Sequence, residues 1–167
     1  MYNNLNEELF AFIKKSPTSF HAIAAMEEYM ENAGAEKLSE GSVWNLKEGG
    51  TYYVTRNKSA IIAFHVPSKE FTGFNIAASH SDSPSLKIKE DPEMNVENQY
   101  VKLNVEKYGG MLCGPWFDRP LSVAGRVIVQ DGNKLETKLV AVDRDILMLP
   151  SLAVHMNRDV NDGYKYN

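Results

Sequence analysis

The sequence predicts an α/β fold in two parts, and three observations predict it. Apolar residues recur at helical spacing up to Gly34, the pattern changes to that of strands from Thr51, and a polar, proline-containing stretch at residues 90–95 precedes a β-rich remainder. Residues 1–91 are therefore expected to open an α/β sheet domain, and residues 92–167 to form a β-rich second part.

Leu5, Leu9, Phe12 and Ile13 share one helical face, so residues 4–15 are expected to form a short amphipathic helix ended by Ser16-Pro17. A second helix should start after Thr18 or Ser19, with Ile23, Met26, Met30 and Ala33 on one stripe and Gly34 as its stop. His21 falls in the first turn of that helix, where a structural role is expected. Residues 51–56 and 59–66 are rich in β-branched and aromatic side chains and flank Asn57-Lys58, the pattern of a hairpin, closed off by Pro67. His65 lies inside the second of these strands and is expected to pack there. Residues 73–79, small or apolar almost throughout, read as a strand in the middle of a sheet. Leu86 and Ile88 then alternate with Lys87 and Lys89, giving one buried face. In the second part Val101, Leu103 and Val105 alternate with polar residues until Gly109-Gly110 breaks the strand. Residues 121–130 and 135–142 read as paired strands about the turn Asp131-Gly132-Asn133, with a short helical or irregular piece after Pro150.

Composition narrows the function. With 18 basic and 22 acidic residues the net charge is −4, which gives no overall bias toward nucleic acid or an anionic membrane. Cys113 is the one cysteine, so no intrachain disulfide can form and a reducing compartment fits. No secretory signal or apolar run of spanning length is evident, and a cytoplasmic protein is expected. A serine hydrolase is disfavoured by the absence of a Gly-X-Ser-X-Gly elbow, and Cys113 has no evident histidine partner.

The candidate site lies at the end of the expected central strand. His80 would sit at its C-terminal edge, where sites collect in open α/β sheets. Asp82 follows two residues on, and on an extended backbone both side chains leave on the same side. A carboxylate there accepts the proton of one imidazole nitrogen and leaves the other for a metal. An isolated His-X-Asp also occurs by chance, and a lone histidine is ordinarily a surface or satisfied core residue. Trp116-Phe117-Asp118-Arg119 has two readings as well: the lining of a peptide cleft, or an ion pair and hydrophobic plug beside the next strand. The second is favoured, because such clusters commonly serve packing, and it extends to Arg126 and Arg158.

Ser16-Pro-Thr-Ser-Phe-His21, Ala78-Ser-His80-Ser-Asp82-Ser-Pro84, Tyr108-Gly-Gly110, Trp116-Phe-Asp-Arg-Pro-Leu-Ser-Val-Ala-Gly-Arg126 and Leu149-Pro-Ser-Leu-Ala-Val-His-Met-Asn-Arg158 stand in this order along the chain. The series resembles the successive motifs of the aspartyl aminopeptidases, a family of zinc metallopeptidases. The resemblance implies the start of a mixed-sheet zinc-exopeptidase domain over residues 1–91, then part of a β-rich inserted dimerisation domain over residues 92–167. It implies a peptide substrate with an acidic N-terminal residue and two zinc ions, for which manganese or cobalt could substitute in such N/O sites. It also implies a homo-oligomer, dimer-based and dodecameric in the family, with neither nucleic acid nor membrane as partner. His80 then supplies a metal ligand and Asp82 orients it. His155 becomes a catalytic helper that reaches the neighbouring subunit's site and stabilises the reacting carbonyl. The family's bridging Asp, its Glu pair, a further Asp and a C-terminal His belong downstream of residue 167.

Here the chain departs from the pattern. Family members are more than twice as long, and no Glu-Glu pair follows Asp82; Glu7-Glu8 and Glu27-Glu28 sit in the expected N-terminal helices. One histidine ligand cannot hold a dinuclear centre. The expectation is an N-terminal portion of a metalloaminopeptidase, inactive by itself; the alternative is a non-catalytic remnant that acts through oligomerisation.

Overall fold

A computed structural model describes residues 2–68 and 70–163. It is a mixed α/β structure built on small sheets, in the order α1 (Tyr2–Lys15), α2 (Ser19–Asn32), β1 (Glu36–Lys37), β2 (Thr51–Arg56), β3 (Ala60–His65), β4 (Ser85–Val96), β5 (Tyr100–Tyr108), a 3-10 turn at Gly114–Trp116, β6 (Pro120–Leu121), β7 (Ala124–Asp131), β8 (Lys134–Ala141) and β9 (Leu147–Met148). The chain gathers into two compact units. One runs up to Asp82 and takes in Ala124–Ala141; the other comprises Ser83–Val123 and the chain from Val142 onward. Residues 164–167 of the expected β-rich part lie outside the described residues.

In the first unit local sequence sets the helix ends. Thr18 is extended and its Oγ1 accepts the His21 N–H at 3.4 Å, capping α2. At the other end Gly34 takes φ +77°, its N–H donates to the Glu31 carbonyl and that of Ala35 to the Met30 carbonyl, both at 2.9 Å, which closes the helix with a left-handed cap. Buried α2 residues Ala22, Ile23 and Ala25 join Ala35, Tyr52, Tyr53 and Val54 in a core that is confined to this unit among the described residues. β2 is the central strand, parallel to β1 and antiparallel to β3, and three of its successive residues are buried because both of its faces are covered, one by α2 and the other by Phe64 and Trp44. Tyr53 donates its hydroxyl hydrogen to Glu31 Oε1 at 2.8 Å. Tyr52 lies against Phe64 at 5.7 Å, and Phe64 against Trp44 at 6.0 Å. Asn57 and Lys58, φ +52° and +53°, make the tight turn of the β2–β3 hairpin.

The β7–β8 hairpin turns at Gly132, φ +58°, with Asp131 opposite Lys134. The Arg126 guanidinium lies 4.1 Å from the centre of the Phe20 ring, and its Nη1 donates to the Asn57 carbonyl at 3.1 Å and to Asn57 Oδ1 at 3.0 Å. Arg126 thus links the Phe20 ring to the β2–β3 turn, through that ring and Asn57 in place of an acidic side chain.

The second unit holds two antiparallel pairs. β4 and β5 form a ribbon in register from Ser85 opposite Tyr108 to Val96 opposite Tyr100. Gly109 turns away at φ +75°, where a Cβ would meet the Pro84 Cα at 3.5 Å. β6 pairs with β9, Leu121 opposite Leu147.

Several expectations need correction. Residues 73–79 are not a buried central strand: they are exposed and pair with no strand among the described residues. Their composition suits burial, but a strand exists only where neighbours accept from its N–H groups and donate to its C=O groups. The polar stretch 90–95 is not a break but part of β4, whose register shifts between Ile88 and Glu93. Pro92 is tolerated within that irregularity, where its missing N–H removes no ladder bond. The expected strand 121–130 is two strands with different partners, β6 and β7. His65 does not pack inside its strand but is exposed, with Nδ1 3.0 Å from the Oγ1 of its cross-strand neighbour Thr51.

Candidate functional site

His80 and Asp82 meet at the end of the exposed segment that follows β3. The segment is anchored just beyond His80, where the Ser81 hydroxyl donates to the Ser59 carbonyl at 3.0 Å. The chain bends at Ser81, which turns the His80 ring onto Asp82. His80 Nδ1 stands 3.2 Å from Asp82 Oδ1 and 2.8 Å from the Asp82 carbonyl oxygen. Two acceptors at one ring nitrogen hold the proton on Nδ1 of the neutral imidazole and leave the lone pair on Nε2. The His80 side chain is 80% exposed, so Nε2 is accessible as a donor to a metal.

The other histidines do different work. His21 Nδ1 contacts Thr18 Oγ1 at 2.8 Å, and burial lowers the pKa of its ring, which suits the structural role expected at the helix start. His155 lies in the second unit, exposed, in a turn closed by the Met156 N–H donating to the Ala153 carbonyl at 2.8 Å.

The turn that carries His155 is tied down from Asp118. Asp118 Oδ1 accepts the Ser151 N–H at 2.8 Å and Oδ2 accepts the Ser151 hydroxyl at 2.5 Å. These bonds, that of the hydroxyl first, hold its carboxyl below the usual range. The expected Asp118–Arg119 ion pair is not among those of the described residues. A charged neighbour suggests a pair, but adjacent residues point apart, and the carboxylate turns instead to Ser151, 33 residues away and beyond the end of β9.

A zinc site takes three or four ligands. No group of three or more His, Cys, Asp and Glu among the described residues is placed to hold a metal. His80 with Asp82 fits one ligand and its orienting partner, and these residues do not complete a centre by themselves.

A family model described as aminopeptidase I zinc metalloprotease (M18) matches residues 12–167. The chain belongs to the M18 family. Over 164 residues this M18 chain is 47% identical to a probable M18 family aminopeptidase 2 of Clostridium novyi strain NT, covering 96% of itself and 38% of that relative. Among solved structures it resembles a chain of the Ape4 and Nbr1 complex, with a TM-score of 0.90, 39% identity and coverage of 96% and 31%. It also resembles the mApe1 dodecamer of S. cerevisiae, with a TM-score of 0.76, 28% identity and coverage of 92% and 37%. The M18 chain thus spans 38% of the length of that curated relative, within a family of metallopeptidases. Among its described residues no helix is long and apolar enough to cross a membrane.

Proposed function

We propose that the protein is a cytoplasmic, zinc-dependent aminopeptidase that releases N-terminal residues, acidic ones by preference, from peptides, and that it works as a homo-oligomer built from dimers. The observation that carries this reading is the His80–Asp82 pair, Nδ1 to Oδ1 at 3.2 Å, inside a segment matched to a zinc metalloprotease family. The name of the dodecameric relative supports the oligomer. In this proposal residues 1–91 open the catalytic domain and residues 92–167 belong to the dimerisation domain.

His80 presents Nε2 as one zinc ligand, and Asp82 keeps the proton on Nδ1 and stops the ring from turning. Two bound zinc ions would polarise the scissile carbonyl and make a nucleophile of water near neutral pH. His155, reaching the neighbouring subunit, donates a hydrogen bond to the carbonyl oxygen as negative charge develops there.

The test uses the protein as its natural host makes it. We expect zinc-dependent hydrolysis of aspartyl and glutamyl substrates, abolished by a chelator and restored by zinc. His80→Ala should lose both activity and bound zinc, and Asp82→Asn should weaken zinc binding about 10–100-fold. Chelator-resistant hydrolysis, or full zinc in His80→Ala, would sink the reading. A folded oligomer with neither zinc nor hydrolysis would overturn it in favour of a non-catalytic role in association.

A further inference from the structure

We propose that Asp118 is a positioning residue for His155, fixing the loop that presents this histidine to the reaction centre; the inference rests on the reading of His155 given above. Asp118 follows the 3-10 turn and takes φ +55°, the left-handed region that aspartate enters more readily than most residues. Its main-chain N–H donates to the Leu149 carbonyl at 3.0 Å, and its carboxylate accepts both the N–H and the hydroxyl of Ser151. One residue therefore grips the chain on both sides of Pro150.

The position has a physical reason. The β6–β9 ladder ends with Pro120 opposite Met148. Pro150 has no N–H with which to carry the ladder on. The Asp118 main chain still reaches Leu149 with one hydrogen bond, and its side chain passes Pro150 to prolong the pairing by two more, from the N–H and the hydroxyl of Ser151 to the carboxylate. Ionised, the carboxylate makes these bonds charge-assisted. Four residues on, the 153–156 turn carries His155, and Asn157 donates to the Ala153 carbonyl at 3.1 Å. Three residues separate Ser151 from His155, and the second and third of them already belong to the turn closed on the Ala153 carbonyl. Loosening its root moves the imidazole without removing any group that touches substrate.

The experiment is a kinetic cycle on the host-made protein in its native assembly, with variants Asp118→Ala, His155→Ala and the two together. Asp118→Ala should lower kcat roughly 10²-fold at unchanged KM, as a misplacement of about 1 Å does. The double variant should be no slower than His155→Ala alone. Asp118→Asn, which keeps an acceptor for the Ser151 N–H, should recover most of the rate. Losses that multiply in the double variant, or an Asp118→Ala effect on KM alone, would show a general structural role and overturn the proposal. If Asp118→Ala does not fold, Ser151→Ala replaces it, with a smaller loss and the same absence of multiplication expected. His155→Ala at the wild-type kcat overturns the reading of His155 and this proposal with it. A slow His155→Ala beside Asp118→Ala at the wild-type rate overturns the proposal alone.

Discussion

Tyr53 shows how one buried hydroxyl sets a pH response. Its ring is fully enclosed, and burial, then the hydrogen bond to Glu31 and the negative charges of Glu31 and Glu27, raise its pKa from 10.0 to about 12. Between those values the folded protein keeps a proton that the unfolded chain has lost. Stability from this group is therefore complete below pH 10 and falls as pH rises through about 12. Urea midpoints measured from pH 8 to 12 should decline more steeply for the wild type than for Tyr53→Phe; parallel curves would refute the assignment. At neutral pH the same substitution should cost about 1 kcal/mol, that of one lost hydrogen bond. The β-branched and aromatic residues of Thr51 to Arg56 predict the strand, but nothing local tells that Tyr53 faces α2 with Glu31 at its hydroxyl. For His80 and Asp82 the i, i+2 spacing predicts a shared side, and the structure has them in contact. Asp118 was misread because its partner lies 33 residues away.

Elements whose ends are written locally could be read from the sequence. Thr18, Gly34, Asn57-Lys58 and Gly132 each act within a few residues, and the helix and hairpin bounds fall where these residues predict. Thr18→Ala should cost about 1 kcal/mol by removing the cap of α2, visible as a lowered urea midpoint with unchanged slope. An unchanged midpoint would mean that the 3.4 Å contact contributes nothing. Elements whose state depends on partners were misjudged. Residues 73–79 have the composition of a central strand and no neighbour among the described residues, whereas the polar residues 90–95 are held in β4 because β5 runs alongside. β1, two residues long and parallel to β2, carries no local signal at all.

At the scale of the molecule the exposed apolar side chains stand out. Phe74 is 80% and Ile76 85% exposed, and β3, at the edge of its sheet among the described residues, shows Ile62 at 67%. An apolar edge strand is a site of self-association. The 167-residue chain by itself should bind a hydrophobic dye and form concentration-dependent oligomers in sedimentation. Ile62→Lys should reduce both, with a stability change within about 0.5 kcal/mol, as for an exposed position. A dye-silent monomer, or association unaltered by Ile62→Lys, would contradict this.

The sequence by itself determined the two helices and the hairpin turns, which are carried by residues close together along the chain, and the balance of charge and the order of the motifs that mark an M18 chain, which need no spatial partner. Only the tertiary structure decided that β1 pairs with β2 and β6 with β9, that the core is α2 against β2, that Ala124–Ala141 belongs with the first unit, and that Asp118 grips Ser151. Those outcomes depend on hydrogen-bond partners and apolar faces brought from tens of residues away, and a local pattern states what a segment can form without naming what it will meet.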